Sequence, residues 1–184
     1  MKPSAKPDRY VALFGGSFNP PHLGHSAICR WLFSEMKVDE VWVIPCLIHP
    51  FDKELAPFEH RLAMCKLVFP KLLLPIRILD VEEKLGGVSH TLRTIEHLRA
   101  QVPDVRFALV IGDDIEAEAH KWHHFDRIRE LVDLIRVPRG AGSPIPDVSS
   151  TEIRHRMRRR KPYIDLVGKE IAVYIATKAL YRER

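Results

Sequence analysis

The sequence predicts a doubly wound α/β fold with a mostly parallel sheet, and three observations carry this. Five apolar runs of strand length recur along the chain: Tyr10–Phe14, Val41–Pro45, Ile76–Val81, Phe107–Ile111 and Leu131–Val137. They are mostly continuous rather than alternating, as expected of strands buried on both faces. Stretches with helical spacing separate them, and strand alternating with helix gives parallel pairing through right-handed crossovers.

The elements can be justified in order. Tyr10–Phe14 ends at Gly15 and Gly16, which close a strand and let backbone approach a ligand. Residues His22–Lys37 then place Leu23, Ile28, Trp31, Leu32 and Met36 at helical spacing. After the second run, Pro57–Phe69 has a proline at its start, where a missing N–H costs nothing, and Leu62, Met64, Leu67 and Val68 within. Thr91–Gln101 carries Leu92, Ile95 and Leu98 before the fourth run. Beyond Val137 a Pro/Gly-rich link, Pro138–Pro146, leads into two terminal helical segments. With 184 residues and a hydrophobic fraction of 46%, one packed domain over 1–184 is expected, with 1–8 as a flexible lead-in.

Composition bounds the function. No apolar run reaches the roughly 18–20 residues needed to span a bilayer, and MKPSAKPDR lacks the apolar stretch of a signal peptide. Cys29, Cys46 and Cys65 are odd in number, far apart and set in apolar sequence, so buried reduced thiols and a cytoplasmic protein are expected. The formal charge of +5 favours an anionic partner without choosing among nucleotide, nucleic acid and acidic surface.

Three stretches carry chemistry. The first is FGGSFNPPHLGH, residues 14–25. Asn19, Pro20 and Pro21 suit a helix start with Asn19 as N-cap. His22 and His25 then share one face of the first turn. A helix N-terminus disfavours cations, so paired imidazoles there add little to the helix itself. A bound polyphosphate would gain from them, because free N–H groups, the dipole and two donors converge on one anion. The second is VSSTEIRHRMRRRK, residues 148–161. Ser149 and Glu152 form a capping box, which leaves Ser150, Thr151 and Arg154 as a second anion site one turn into the helix. The third is IGDDIEAEAHKW, residues 111–122, where adjacent carboxylates follow a strand and fit either a metal site or a solvated loop.

Together these stretches resemble the nicotinate/nicotinamide mononucleotide adenylyltransferases, members of the H-x-G-H nucleotidyltransferase superfamily with a Rossmann-like fold. The first matches Gly-Gly-Ser-Phe-Asn-Pro-Pro-His-x-Gly-His, the second Ser-Ser/Thr-x-x-Ile/Val-Arg, and the third Ile-Gly-x-Asp with a Trp eight residues beyond. The likeness runs from about residue 10 to the closing Ala-Val-Tyr-Ile…Leu-Tyr segment, 172–181.

The resemblance implies transfer of AMP from ATP to nicotinate mononucleotide, giving the deamido dinucleotide and pyrophosphate, a step of NAD synthesis. It implies His22, His25 and Arg154 as catalytic residues, and Gly15, Gly16, Ser17, Phe18, Gly112, Asp114, Ser150 and Thr151 around ATP. Lys53, Ser89, Thr91 and Trp122 would face the mononucleotide, with Trp122 stacked on the pyridine ring. Mg²⁺ would bridge the phosphates, held by nucleotide and water rather than by a carboxylate cage. Arg61 also matches a family arginine.

Two places depart from the family pattern. Ser89-His90-Thr91 stands where Ser-Tyr-Thr is usual, and the segment Leu47–Lys53 stands where Pro-Pro-His-Lys is usual. Both touch the mononucleotide side. The alternatives are therefore nicotinamide mononucleotide or another phosphorylated acceptor, and a nucleotide-binding regulator without turnover. A pantetheine-phosphate acceptor is disfavoured, because its family usually has Thr-x-Gly-His where this chain has His22-Leu23-Gly24-His25. The run Arg154–Lys161 holds six Lys/Arg in eight residues, but no aromatic is interleaved before Tyr163, so nucleic acid is disfavoured as a partner.

Overall fold

The computed structural model describes residues 9–50, 54–112 and 122–181. In chain order these form β1 (Arg9–Gly16), α1 (Leu23–Ser34), β2 (Glu40–Pro45) and α2 (Phe58–Val68). A 3₁₀ turn, Phe69–Leu72, leads to β3 (Ile76–Ile78), the short helix α3 (Val81–Leu85), α4 (Thr91–Gln101) and β4 (Val105–Gly112). Then come α5 (Phe125–Leu131), β5 (Asp133–Val137), α6 (Ser150–Arg158), α7 (Ile164–Val167) and α8 (Lys169–Thr177).

The strands pair in the order β3-β2-β1-β4-β5, every pair parallel. Their continuous apolar character follows from burial on both faces. On one face Ala12, Phe14, Val43 and Val110 pack against Ile28, Cys29 and Leu32 of α1. On the other, Val11, Leu13, Trp42 and Leu109 pack against Ile95 and Leu98 of α4 and Ile128 of α5. A third cluster joins Met64 of α2 to Ile153 of α6 and to Ile171 and Ile175 of α8. The chain winds outward from β1 in both directions, first to β2 and later to β4. A sheet of that topology opens a ligand crevice beyond the carboxyl ends of the two strands at the reversal. Gly15 and Gly16 end β1 and Gly112 ends β4, so the first and third motif stretches meet there.

Three expectations are corrected. β3 stops at Ile78, and Val81 opens α3 instead of closing the strand. Asp80 at the N-cap with Glu82 and Glu83 in the first turn favours a helix start at that point. Leu131 ends α5 rather than starting β5. Cys46 is half-buried, whereas Cys29 and Cys65 are buried, and all three thiols are free. Burial pushes the Cys29 thiol up to about 12 and raises the other two. Among the described residues no helix is long and apolar enough to cross a membrane. The lead-in 1–8 lies outside the described residues.

Candidate active site

Two cavities open along the carboxyl edge of the sheet, and Ser17 lines both. The first, of about 260 Å³, lies between the β1–α1 turn and the N-terminus of α6. The turn is held from below by Arg61, which is 1% exposed. Its guanidinium donates to the carbonyls of Ala56 at 2.8 Å, Ser17 at 2.9 Å, Cys46 at 2.7 Å and Leu47 at 3.0 Å. One buried cation thus fastens the ends of β1 and β2 to the segment before α2. A buried guanidinium demands such complete satisfaction.

The N-cap of α1 is His22, not Asn19. Asn19 is committed elsewhere: Nδ2 donates to the Glu54 carbonyl at 3.2 Å, and Oδ1 accepts the Ala56 amide at 3.1 Å. The Asn19–Pro20 peptide is cis. The helix therefore begins three residues later than the Asn-Pro-Pro spacing suggests. His22 and His25 stack with ring centroids 3.8 Å apart, and His25 Nδ1 accepts the His22 backbone N–H at 3.1 Å. Accepting at Nδ1 leaves the His25 proton on Nε2. The His22 ring folds back over Gly24, where an added Cβ would lie 3.0 Å from its Cε1 and Nδ1, so the motif glycine makes room for the first imidazole. Beneath the pair, Phe18 packs edge-on against Phe14 and Phe69, so it belongs to the core and also lines the cavity.

Burial, and then the charge of Arg139, holds the His22 imidazole down to about 4. Burial likewise places His25 well below its ordinary value, with His22 and Arg139 adding to the effect. Both rings are neutral at physiological pH. That resolves the conflict with the helix dipole: the α1 terminus carries two uncharged donors, not two cations.

At α6, the Ser149 hydroxyl accepts the Glu152 amide at 3.1 Å, which caps the helix. The expected box is left half-made, because the Glu152 carboxylate turns to Arg156 Nε at 2.8 Å. The next two polar groups reach across to the β1–α1 turn. The Ser150 hydroxyl donates to the Pro20 carbonyl at 2.8 Å, and Arg154 Nη1 donates to the Asn19 carbonyl at 2.7 Å. Arg154 Nη2 also reaches the Thr151 hydroxyl at 3.3 Å. Arg154 and Ser150 thus dock the second motif onto the first while lining the cavity with Thr151. Glu54 is the only carboxylate among the described lining residues.

The second cavity, of about 230 Å³, is mostly apolar. Leu13, Ile44, Ile95 and Leu109 wall it, with Trp122 and Thr91 at its rim. Trp122 packs edge-on against Phe125, so it belongs both to the core and to the cavity wall. The Ser89 hydroxyl accepts the Leu47 amide at 2.8 Å, and the Ser89 amide donates to the Ile48 carbonyl at 3.0 Å. Ser89 therefore ties the β2 loop to the start of α4. His90, the N-cap of α4, stacks 4.9 Å from His123, and His123 meets His124 edge-on at 4.0 Å. Asp114 and Lys53 lie outside the described residues.

The sequence passed over Arg139 and Glu82. Arg139 follows β5 directly inside the Pro/Gly link and lines the first cavity. A basic residue at the carboxyl end of a parallel strand was the signal available. Glu82 sits on α3 and lines the second cavity, a position that depends on the strand ending early.

Residues 13–156 match the cytidylyltransferase-like family model. A relative from Anaeromyxobacter dehalogenans, carrying the name "Probable nicotinate-nucleotide adenylyltransferase", is 44% identical over 95% of this chain and 97% of its own length. A Myxococcus xanthus protein of the same name is 37% identical over 96% of each chain. Among solved structures, the Plasmodium falciparum nicotinic acid mononucleotide adenylyltransferase complexed with NaAD shares the fold. Its TM-score is 0.77 at 20% identity, covering 94% of this chain and 97% of that one. The chain belongs to the cytidylyltransferase-like family and, within it, to the nicotinate-nucleotide adenylyltransferases.

Proposed function

We propose that this chain transfers AMP from ATP to nicotinate mononucleotide, releasing pyrophosphate and forming the deamido dinucleotide. The observation that carries the reading is the meeting of the two cavities at Ser17, one cationic and polar, the other apolar and flanked by an indole. A triphosphate in the first and a pyridine nucleotide in the second would bring the acceptor phosphate to the α-phosphorus at the β1–α1 turn.

An oxygen of the acceptor phosphate forms the new bond to the α-phosphorus, and the bond from that phosphorus to the β-bridging oxygen breaks. The electron pair leaves with pyrophosphate. The residues need only position and neutralise charge. His22 and His25 donate hydrogen bonds as neutral imidazoles, Arg139 and Arg154 supply positive charge, and the amides at the start of α1 and α6 face the same anion. Cys46, a thiol at the wall of the second cavity, is raised by burial and stays protonated, which supports direct transfer without a covalent enzyme intermediate. The lining donors suit a nucleotide that brings its own Mg²⁺: one carboxylate, Glu54, stands among cations and neutral donors. Mg²⁺ would neutralise the phosphates, with water and nucleotide oxygens as its main ligands.

The test is pyrophosphate release with ATP and Mg²⁺ in the presence and absence of each pyridine mononucleotide. Release that requires the mononucleotide is expected. Nucleotide binding without release for any acceptor would replace the enzyme reading with that of a regulator.

A further inference from the structure

Glu82 is only 4% exposed, although carboxylates are rarely buried without a partner. One oxygen, Oε1, accepts the hydroxyl of Thr94, itself 4% exposed. The other, Oε2, is buried and has no hydrogen-bond partner among the described residues. Both side chains belong to the wall of the second cavity, beside Ile95 and Trp122. No lysine or arginine is among the described residues of that wall, and its one basic group is His49. The arginine nearest along α4, Arg93, donates to the carbonyls of Gly86 at 2.7 Å and Val88 at 3.0 Å. A carboxylate left in such a place is costly unless a counter-charge arrives.

The reading of the cavity as an acceptor site supplies that charge. In a pyridine mononucleotide the ring nitrogen is bonded to ribose, so the ring is a permanent flat cation whatever its carboxylate or amide substituent. A flat cation is met best by a π-face together with an anion at short range. The second cavity offers Trp122 for the first and Glu82 for the second. We propose that Glu82 is the counter-ion for the pyridinium ring of the acceptor. It selects cationic acceptor rings over neutral ones and takes no part in bond making at phosphorus. This rests on the acceptor being a pyridine mononucleotide.

The test compares nicotinate mononucleotide with its neutral C-riboside isostere, 3-carboxyphenyl riboside 5′-phosphate. That compound keeps the carboxylate, ribose hydroxyls and phosphate and removes only the ring charge. With the full chain, KM for the neutral isostere is expected to exceed that for the pyridinium by about tenfold or more. Glu82→Gln raises KM for the pyridinium by about ten- to a hundredfold, with kcat far less affected, and leaves the isostere unmoved. The preference then collapses towards one. Glu82→Asp restores most of it.

Equal losses on both acceptors in Glu82→Gln would overturn the proposal in favour of a ribose contact or a packing role. So would an absence of preference in the unmodified chain, a measurement that does not require the variant to fold. No turnover with any pyridine mononucleotide would remove the acceptor reading itself, and this inference with it.

Discussion

The cavity beside α6 is lined by two arginines, two stacked imidazoles and the hydroxyls of residues 149–151. The cavity beside Trp122 is walled by Leu13, Ile44, Ile95 and Leu109 around one described carboxylate, Glu82. In the first, the donors are held before any ligand arrives: Arg154 by its bond to the Asn19 carbonyl, and the His25 Nε2 proton by the bond that Nδ1 accepts from the His22 amide. Preorganised donors of this kind act on developing charge and so on turnover. In the second, shape and apolar surface dominate, and such walls act mainly on binding. In the proposed function the difference divides the labour: phosphate chemistry on one side of Ser17, acceptor recognition on the other.

The largest expected effect comes from the imidazole pair. His25→Ala should lower kcat by about 10²–10³-fold, the usual loss for one preorganised donor, and His22→Ala should do the same. Thermal stability should fall only modestly with His25→Ala, by about 1 kcal/mol for the lost bond to the His22 amide at the helix cap. Steady-state kinetics beside melting curves checks this. A large fall in melting temperature with kcat intact would assign the pair to packing.

Trp122→Ala probes the other side. Losing one stacking face should raise KM for the mononucleotide by about ten- to a hundredfold, from roughly 1–3 kcal/mol of stacking. KM for ATP should stay within about twofold. A matching rise in KM for ATP would erase the division between the cavities.

His22 ties part of the pH dependence of stability to the first cavity. The folded state holds His22 at about 4 against an ordinary 6.5, so the unfolded chain takes up this proton first. Stability should therefore fall as pH drops from 6.5 towards 4, by up to about 3 kcal/mol from this group, and should not depend on it above about pH 7. His22→Gln should flatten that part of a chemical-denaturation series. ATP binding at about pH 6 should take up protons, because the phosphates favour the charged imidazole. A calorimetric titration in buffers of different ionisation enthalpy would show no net proton uptake if the phosphates avoid the pair.

The rim histidines should matter less. Loss of hydration, and then the neighbouring His124 and His90, lower the His123 imidazole below its ordinary 6.5. Its protonation adds positive charge beside Thr91 and Trp122. The preference for nicotinate over nicotinamide mononucleotide should thus grow a few-fold as pH falls below about 6.5. His123→Gln should make the ratio of kcat/KM values less sensitive to pH in that range. The smallest effect belongs to the exposed basic run. Replacing Arg158, Arg159 and Arg160 together by polar residues should leave kcat/KM within about twofold, as surface charges away from a site usually do. Salt-sensitive duplex binding lost in that variant would reopen a nucleic-acid role.

The two cavities also differed in legibility. The first is made from two continuous stretches, 14–25 and 148–154, whose residue types declare anion binding before folding is considered. Even there the sequence misplaced the α1 cap, because the side chain of Asn19 is engaged by Glu54 and Ala56, over thirty residues away. It also could not show that burial would strip the imidazoles of charge. The second cavity draws scattered residues from β1, β2, α3, α4 and β4, and the apolar runs that build it read only as core. Glu82 carried no signal in the sequence, because it follows the run read as a strand to Val81; the short helix α3 places it, buried, in the cavity wall. The sheet itself was the easiest part, since burial on both faces leaves unbroken apolar runs.

The central claim is that the acceptor phosphate, entering from the second cavity, attacks the α-phosphorus of a nucleotide held in the first. Nicotinate mononucleotide carrying ¹⁸O in its phosphate tests this directly when both products of one reaction with ATP and Mg²⁺ are weighed by mass spectrometry. The account predicts all of the label in the dinucleotide and none in pyrophosphate. Label in pyrophosphate, or ATP consumed with no dinucleotide formed, would contradict it.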